Sequence, residues 1–326
     1  MSCTCSKSVR AAGSVAVPAT PDAAVSADLH HMPHRLEDCT KATIPGTQWV
    51  LQGHSRGGER TGFHIPSLRL GLDAGLGSYK PIDVILLTHQ HGDHANSMPF
   101  LTHGRPTAIY GPACMRESAI AYCTAYATLD GGTSCLATFT AVKCDADICT
   151  SPSMDTPVEE IAVAHGVIAH VLPCAHTVPC VGYVLSTTSR KLRADLAGRG
   201  RAELSALRAS GVDVYGPRVV RPRFVFLGDT SVDVFQSRRL IELMEVPGLV
   251  IAVECTYLDS LGAPESWRSR GHCSWSDLEP VITTASHIQF ILIHFSRRYT
   301  DADIVAYFAS RGRPPNVVLW LDSGVC

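Results

Sequence analysis

From Gln48 onward the chain repeatedly passes through a short apolar run that stops on a polar or ionisable residue: Leu68 to Asp73, Ile82 to His89, Phe224 to Asp229, Leu249 to Glu254 and Ile288 to His294. Near-continuous Val, Ile, Leu and Phe without strict alternation is the pattern of strands covered on both faces, and in α/β folds the functional groups collect at strand ends. Helices are expected between them at Ala113 to Thr128, Ala202 to Ser210 with Gly211 behind it, Val234 to Met244 and Asp301 to Ser310. The fold class is therefore layered α/β. Residues 130–157, with Gly131, Gly132 and many Ser, Thr and Asp, read as an insertion or irregular loops. Residues 1–35 are rich in Ala, Ser, Val and Pro, lack periodicity, and read as a flexible tail before a folded domain spanning 36–326.

Composition narrows the function classes only a little. Lys and Arg number 28 against 30 Asp and Glu, a net charge of -2, so a polyanion-binding surface must come from uneven placement. The longest apolar runs, such as Leu249 to Val253, are far shorter than the roughly twenty residues a membrane-spanning helix needs, and no membrane partner is expected. Thirteen scattered cysteines, with only Cys3 and Cys5 closely spaced, do not look like a disulfide framework and suit a reducing interior. An intracellular setting, cytoplasmic or nuclear, follows. The scarcity of acid before Asp22 is a faint sign of organellar import.

The histidines carry the functional argument. Strand Ile82 to Thr88 runs into His89-Gln90-His91-Gly92-Asp93-His94. Residues two apart on an extended segment point the same way, so His89 and His91 can grip one ion, while a turn at Gly92 can swing Asp93 and His94 toward a second. Further ligand types close other runs: His176, Asp229 and His294. Read singly, each also suits a structural histidine or a helix cap. Read together they give seven ligands, enough for two ions with room left for water.

At this point the chain resembles the metallo-β-lactamase superfamily and, within it, the tRNase Z (ribonuclease Z) family in its short plant-like form, over about Gln48 to Phe308. The segments carrying the resemblance are Thr88 to His94, His176 through Gly182-Tyr183, Gly228-Asp229-Thr230, Glu254-Cys255-Thr256-Tyr257 with Gly271-His272, and Ile293-His294-Phe295-Ser296-Arg297-Arg298-Tyr299. The first marks only the superfamily; the last two are similar to tRNase Z in particular. The resemblance implies an αββα sandwich of two mixed β-sheets flanked by helices. It implies two zinc ions, one on His89, His91 and His176, the other on Asp93, His94 and His294, bridged by Asp229. It also implies a Glu254–His272 charged pair beside them, and a homodimer. Histidine and carboxylate ligands accept iron or manganese as well. Asp93 could orient the nucleophile, and His272, aimed by Glu254, could protonate a departing oxygen.

The implied substrate is precursor tRNA. Residues 186–223 hold Arg190, Lys191, Arg193 and six further arginines against Asp195, Glu203 and Asp213, a local excess suited to phosphates. The segment stands where the family carries its tRNA-clamping arm; charge alone would equally describe a solvated face. Arg297 and Arg298, next to His294, are expected to contact substrate. After Asp73 the chain reads Ala74-Gly75-Leu76-Gly77-Ser78 in place of the Gly-Glu-Gly-Thr-Gln of bacterial relatives. Two rivals stand beside this reading. One is a small-molecule hydrolase on the same scaffold, a glyoxalase II-like thioesterase or a cyclic-nucleotide phosphodiesterase; the other is a non-catalytic RNA-binding paralogue.

Overall fold

In the computed structural model the described residues are 35–132, 135–142, 160–259, 261 and 267–326, all within the unit Pro33–Cys326. The expected tail lies outside them apart from Arg35, as do residues 143–157 of the expected insertion.

Two mixed sheets face each other. The first runs β1 (Lys41–Thr43), β2 (Val50–Gly57), β3 (Arg60–Ile65), β4 (Leu70–Leu72), β5 (Val84–Leu86), β6 (Ala108–Pro112) and β7 (Thr138–Val142) in order. It is antiparallel up to β4 and parallel from β4 to β7. The second carries β8 (Glu160–Ala164), β9 (Val167–Cys174), β10 (Cys180–Leu192), β11 (Tyr215–Phe226), β12 (Val250–Glu254), β13 (Gln289–Ile293), β15 (Val317–Leu321) and β16 (Gly324–Val325). The short β14 (Phe295–Ser296) crosses back to pair with Arg56 and Gly57 of β2.

The alternation of side chains sorts the core into layers. Val84 and Leu86 face the second sheet, where they join Phe63, Leu72, Tyr183, Phe226, Ile291 and Trp320. Phe63 stands edge-on to Phe226 at 5.7 Å and to Trp320 at 5.3 Å, so one ring ties both sheets. Ile85, pointing the other way, packs with Met98, Leu101 and Ala119 of α2 (Met98–Thr102) and α3 (Arg116–Leu129), which follow the single turn α1 (Gly92–Ala95). On the far side, Ile251, Val253 and Phe290 pack against α5 (Arg238–Met244), α6 (Trp275–Thr284) and α7 (Asp301–Arg311). Each such buried side chain contributes about 1.5–3 kcal/mol, and Phe63→Ala would cost roughly 3–5 kcal/mol. The result is the expected αββα sandwich.

Several expectations need amendment. The helix expected over Val234 to Met244 is split: a 3-10 turn, Val232–Gln236, ends where Ser237 caps α5 by accepting from the Leu240 N–H. Within the segment read as irregular, Thr138–Val142 is a strand. Helix α6 is masked in the sequence by Pro280 inside it, yet its start is fixed by a reciprocal Ser274–Asp277 capping box. Hairpin β2–β3 is obscured in the sequence by buried polar residues, among them His54, Arg56, Thr61 and His64. Among the described residues no helix is long and apolar enough to cross a membrane.

A candidate two-metal centre at the strand ends

The residues singled out in the sequence arrive from separate strand ends. β5 leads through Leu87 and Thr88 to His89; His91 caps α1, whose single turn carries Asp93 and His94. His176 sits in the loop joining β9 to β10, Asp229 lies just past β11, Glu254 ends β12 and His294 follows β13. The turn expected at Gly92 is thus helical, and it places His94 on the same side as His89, with ring centroids 4.2 Å apart.

Their ligand atoms converge. His89 Nε2 lies 3.0 Å from His91 Nδ1, and His176 Nε2 lies 3.3 Å from that same nitrogen. His94 Nε2 and His294 Nε2 are 3.3 Å apart, with Asp93 Oδ2 at 3.5 Å from His294 Nε2. Asp229 turns one oxygen to each group: Oδ2 is 3.7 Å from His89 Nε2, while Oδ1 is 3.2 Å from His94 and 3.4 Å from His294. His89, His91, His176 and Asp229 form one cluster able to hold a cation, and Asp93, His94 and His294 another.

The donor set fits metal ions. Bonds of about 2.0–2.1 Å at tetrahedral angles hold two nitrogens roughly 3.3–3.4 Å apart, close to the spacings found. The opposite ring nitrogens are committed elsewhere. His94 Nδ1 donates to Asp73 Oδ2 at 2.7 Å, His176 Nδ1 to the Gly271 carbonyl at 2.9 Å, and His89 and His294 Nδ1 meet the hydroxyls of Thr88 and Thr256 at 3.0 and 2.9 Å. Such bonds fix the tautomer that leaves the facing nitrogen a lone pair. Burial, and then the nearby His94, push the His89 imidazole well below its usual value, so crowded lone pairs face one another and call for a cation between them. Asp229 resists the upward push of burial because His294 and His94 hold its carboxyl well below the usual range.

Beside the two clusters, His272 Nδ1 donates to Glu254 at 2.9 Å. Burial opposes a charge on His272, but the Glu254 carboxylate outweighs it and raises the imidazole to about 9. Glu254 is itself buried and accepts from the Thr230 N–H at 2.8 Å and from the Thr256 hydroxyl.

Sequence reasoning missed the supports. Asp73, backbone φ 58°, braces His94 and also accepts from the Thr88 N–H at 2.7 Å. It closes an apolar run just as Asp229 does, so the signal was present. The Gly57–Gly58 turn of hairpin β2–β3 was not legible. Gly58 donates its N–H to Asp93 Oδ2 at 3.0 Å, and a Cβ on Gly57 would meet the His294 carbonyl at 3.2 Å. His294 itself sits at φ 61°, in the left-handed region that a non-glycine residue seldom adopts outside functional sites.

The basic residues are less concentrated. β10 and β11 continue past the sheet as a hairpin, paired from Tyr183↔Phe226 out to Leu192↔Tyr215, with α4 (Arg201–Ala209) at its tip. On it Arg190 pairs with Asp213 and Arg193 with Asp195, both exposed, while Arg218 pairs with Glu160. Among the described residues no carboxylate pairs with Lys191, Arg201 or Arg221. At about 3.3 Å per residue, Lys191 stands roughly 36 Å along β10 from the His176 loop, so the hairpin carries it away from the clusters of its own chain. Arg297 and Arg298 are exposed directly behind His294; Arg298 Nε donates to Ser296 Oγ at 3.2 Å, and its guanidinium lies 5.7 Å from the Tyr257 ring centre.

No family model matches the chain. Among curated proteins it is 27% identical over 264 residues to tRNase Z TRZ1 of Arabidopsis thaliana, covering 78% of this chain and 88% of that one. It is 22% identical over 267 residues to the chloroplastic tRNase Z TRZ2 of the same plant, covering 78% and 70%. It is also 28% identical over 245 residues to the Ribonuclease Z of Kineococcus radiotolerans, covering 69% and 70%.

Proposed function

We infer that this chain is a ribonuclease Z of the metallo-β-lactamase superfamily, and on that premise that it removes the 3′ trailer from precursor tRNA, leaving a 3′ hydroxyl. The observation that carries the reading is the convergence of seven ligand side chains from separate strand ends, with the Glu254–His272 pair at their edge. His89, His91 and His176 would hold one ion, Asp93, His94 and His294 the other, with Asp229 shared; zinc suits the set, and iron or manganese are also accepted. Two such ions, when bound, clamp a phosphodiester and lower the pKa of a water toward about 7.

The chain's own groups do the rest. Asp93, held by the Gly58 N–H, aims its carboxylate where it can orient the attacking water. His272, kept protonated by Glu254, delivers a proton to the departing 3′ oxygen. Arg297 and Arg298 would meet phosphates near the cut, and Arg190, Lys191 and Arg193 would grip the body of the tRNA. Because the arm extends away from its own clusters, we place it in service of a second copy, which makes a homodimer the working form. A small-molecule hydrolase would leave both the arm and the Glu254–His272 pair without a task.

The test is cleavage of an end-labelled precursor tRNA mapped to the nucleotide. A cut just after the discriminator base, abolished by His94→Ala, is the expected result. A protein that binds two metals and hydrolyses a thioester or cyclic nucleotide but leaves the precursor intact would overturn the tRNA assignment.

A further inference from the structure

Among the described residues Asp229 is the one carboxylate that faces both clusters, yet the backbone carrying it belongs to no strand. The segment Leu227–Thr230 leaves β11 through Gly228 at φ 61°, where a Cβ would collide with Thr88 at 2.7 Å. Two of its N–H groups are served: Leu227 donates to the Ala252 carbonyl at 3.1 Å, and Thr230 to Glu254. Its carbonyls are different. The backbone hydrogen bonds described for this segment bring no N–H to the oxygens of Leu227, Asp229 or Thr230. Buried carbonyls seldom go without a donor.

Three thiols supply it. Cys174 Sγ donates to the Leu227 carbonyl at 2.9 Å, Cys180 Sγ to the Asp229 carbonyl at 3.2 Å and Cys273 Sγ to the Thr230 carbonyl at 3.1 Å. All three cysteines are buried, and they come from separate places: the last residue of β9, the first of β10, and the residue after His272. Cys174 and Cys180 stand opposite each other in register, bracketing the loop that carries His176. A single buried cysteine is most often a small apolar filler. Three of them donating to three carbonyls of one four-residue segment form a cradle.

We propose that Cys174, Cys180 and Cys273 are positioning residues, whose S–H groups hold the Leu227–Thr230 backbone so that the Asp229 carboxylate spans the two ligand clusters. This rests on the metal-centre reading above. The cysteines touch neither ion nor substrate; they act through Asp229. Outer partners of this kind ordinarily change metal affinity by 10- to 100-fold.

The experiment compares full-length wild type with Cys180→Ala, Cys180→Ser, the double variant Cys174→Ala/Cys180→Ala, and Cys255→Ala. Cys255 is fully buried next to Glu254, and no bond from its thiol to the Asp229 segment is described, so it controls for the loss of a buried thiol. Zinc affinity is measured by chelator competition, metal per chain by elemental analysis, the visible absorption of the cobalt-loaded protein at matched occupancy, and Tm without metal. Expected are a roughly tenfold or greater loss of zinc affinity and an altered cobalt spectrum in Cys180→Ala. The double variant should lose more, Cys180→Ser should recover part through its hydroxyl, and Cys255→Ala should keep wild-type affinity whatever its Tm. If the Cys180 variants lower Tm as Cys255→Ala does but leave affinity and spectrum unchanged, the cysteines are packing only and the proposal is wrong. If wild type itself binds no metal, the metal-centre reading fails, and this proposal fails with it.

Discussion

Asp73 and His94, twenty-one residues apart, share a hydrogen bond of 2.7 Å with both side chains almost fully shielded from solvent. The bond fixes which nitrogen of His94 faces Asp229, and the negative charge makes that nitrogen a better donor. Asp73→Asn keeps the shape and removes the charge. Zinc affinity, measured by chelator competition, is expected to fall by about 10- to 100-fold while far-ultraviolet circular dichroism stays unchanged. Unaltered affinity would show that Asp73 braces the fold and not the ligand.

Gly57 lies so close to His294 that an added Cβ would crowd it. An added Cβ would stand 3.2 Å from the His294 carbonyl and 3.3 Å from its Cε1, so the histidine must give by a few tenths of an ångström. Displacements approaching an ångström cost up to about 100-fold in rate. Gly57→Ala is expected to lower kcat modestly, and Gly57→Val by about 10- to 100-fold, with KM for precursor tRNA little changed. A rise in KM at constant kcat would contradict this.

The alkaline side of the pH–rate profile reports on His272. Its imidazole is raised to about 9, burial being outweighed by Glu254, so the protonated form needed to donate is present below that pH and lost above it. Glu254→Gln removes the charge that holds the proton, and the alkaline limb of kcat/KM is expected to move to lower pH. A limb that stays in place would assign the proton donor elsewhere.

His64 gives a stability prediction independent of catalysis. Burial pushes its imidazole down to about 4, and among the described residues its Nε2 has no hydrogen-bond partner. Between pH 6.5 and 4 the unfolded chain takes up a proton that the native site refuses, so stability falls as pH falls through that window, by roughly 3 kcal/mol in all. Urea unfolding of the metal-free protein across this range should show a shallower decline in His64→Leu than in wild type. Parallel curves would refute the assignment.

For the arm, phosphate contacts imply counterion release. The Arg190, Lys191, Arg193→Ala triple variant is expected to raise KM with kcat nearly unchanged. It should also flatten the slope of log affinity against log salt by up to about 0.9 per lost contact. Arg190 and Arg193 already hold Asp213 and Asp195, so Lys191→Ala alone tests the cation with no described acidic partner on that strand. A salt slope identical to wild type would mean the hairpin does not touch RNA.

Much of this protein was legible in one dimension, for a physical reason. A strand buried on both faces writes itself as an unbroken apolar run, and a polar group at its end writes itself as the residue where the run stops; hence Asp229, Glu254 and His294 stand out in the sequence. The spacing of His89, His91, Asp93 and His94 is local, so strand and turn geometry already dictate which of them can share an ion. What only the tertiary structure decided depends on contacts between distant segments. The Gly57–Gly58 turn meets Asp93 and His294 because β14 returns to pair with β2. The three thiols meet the Asp229 backbone because β9, β10 and the residue after His272 end at one place. Whether Arg190 is a free cation or Asp213's partner depends on how a hairpin folds back on itself. Local sequence specifies which chemistry each strand end brings, while the packing of two sheets decides which backbone groups stand behind it.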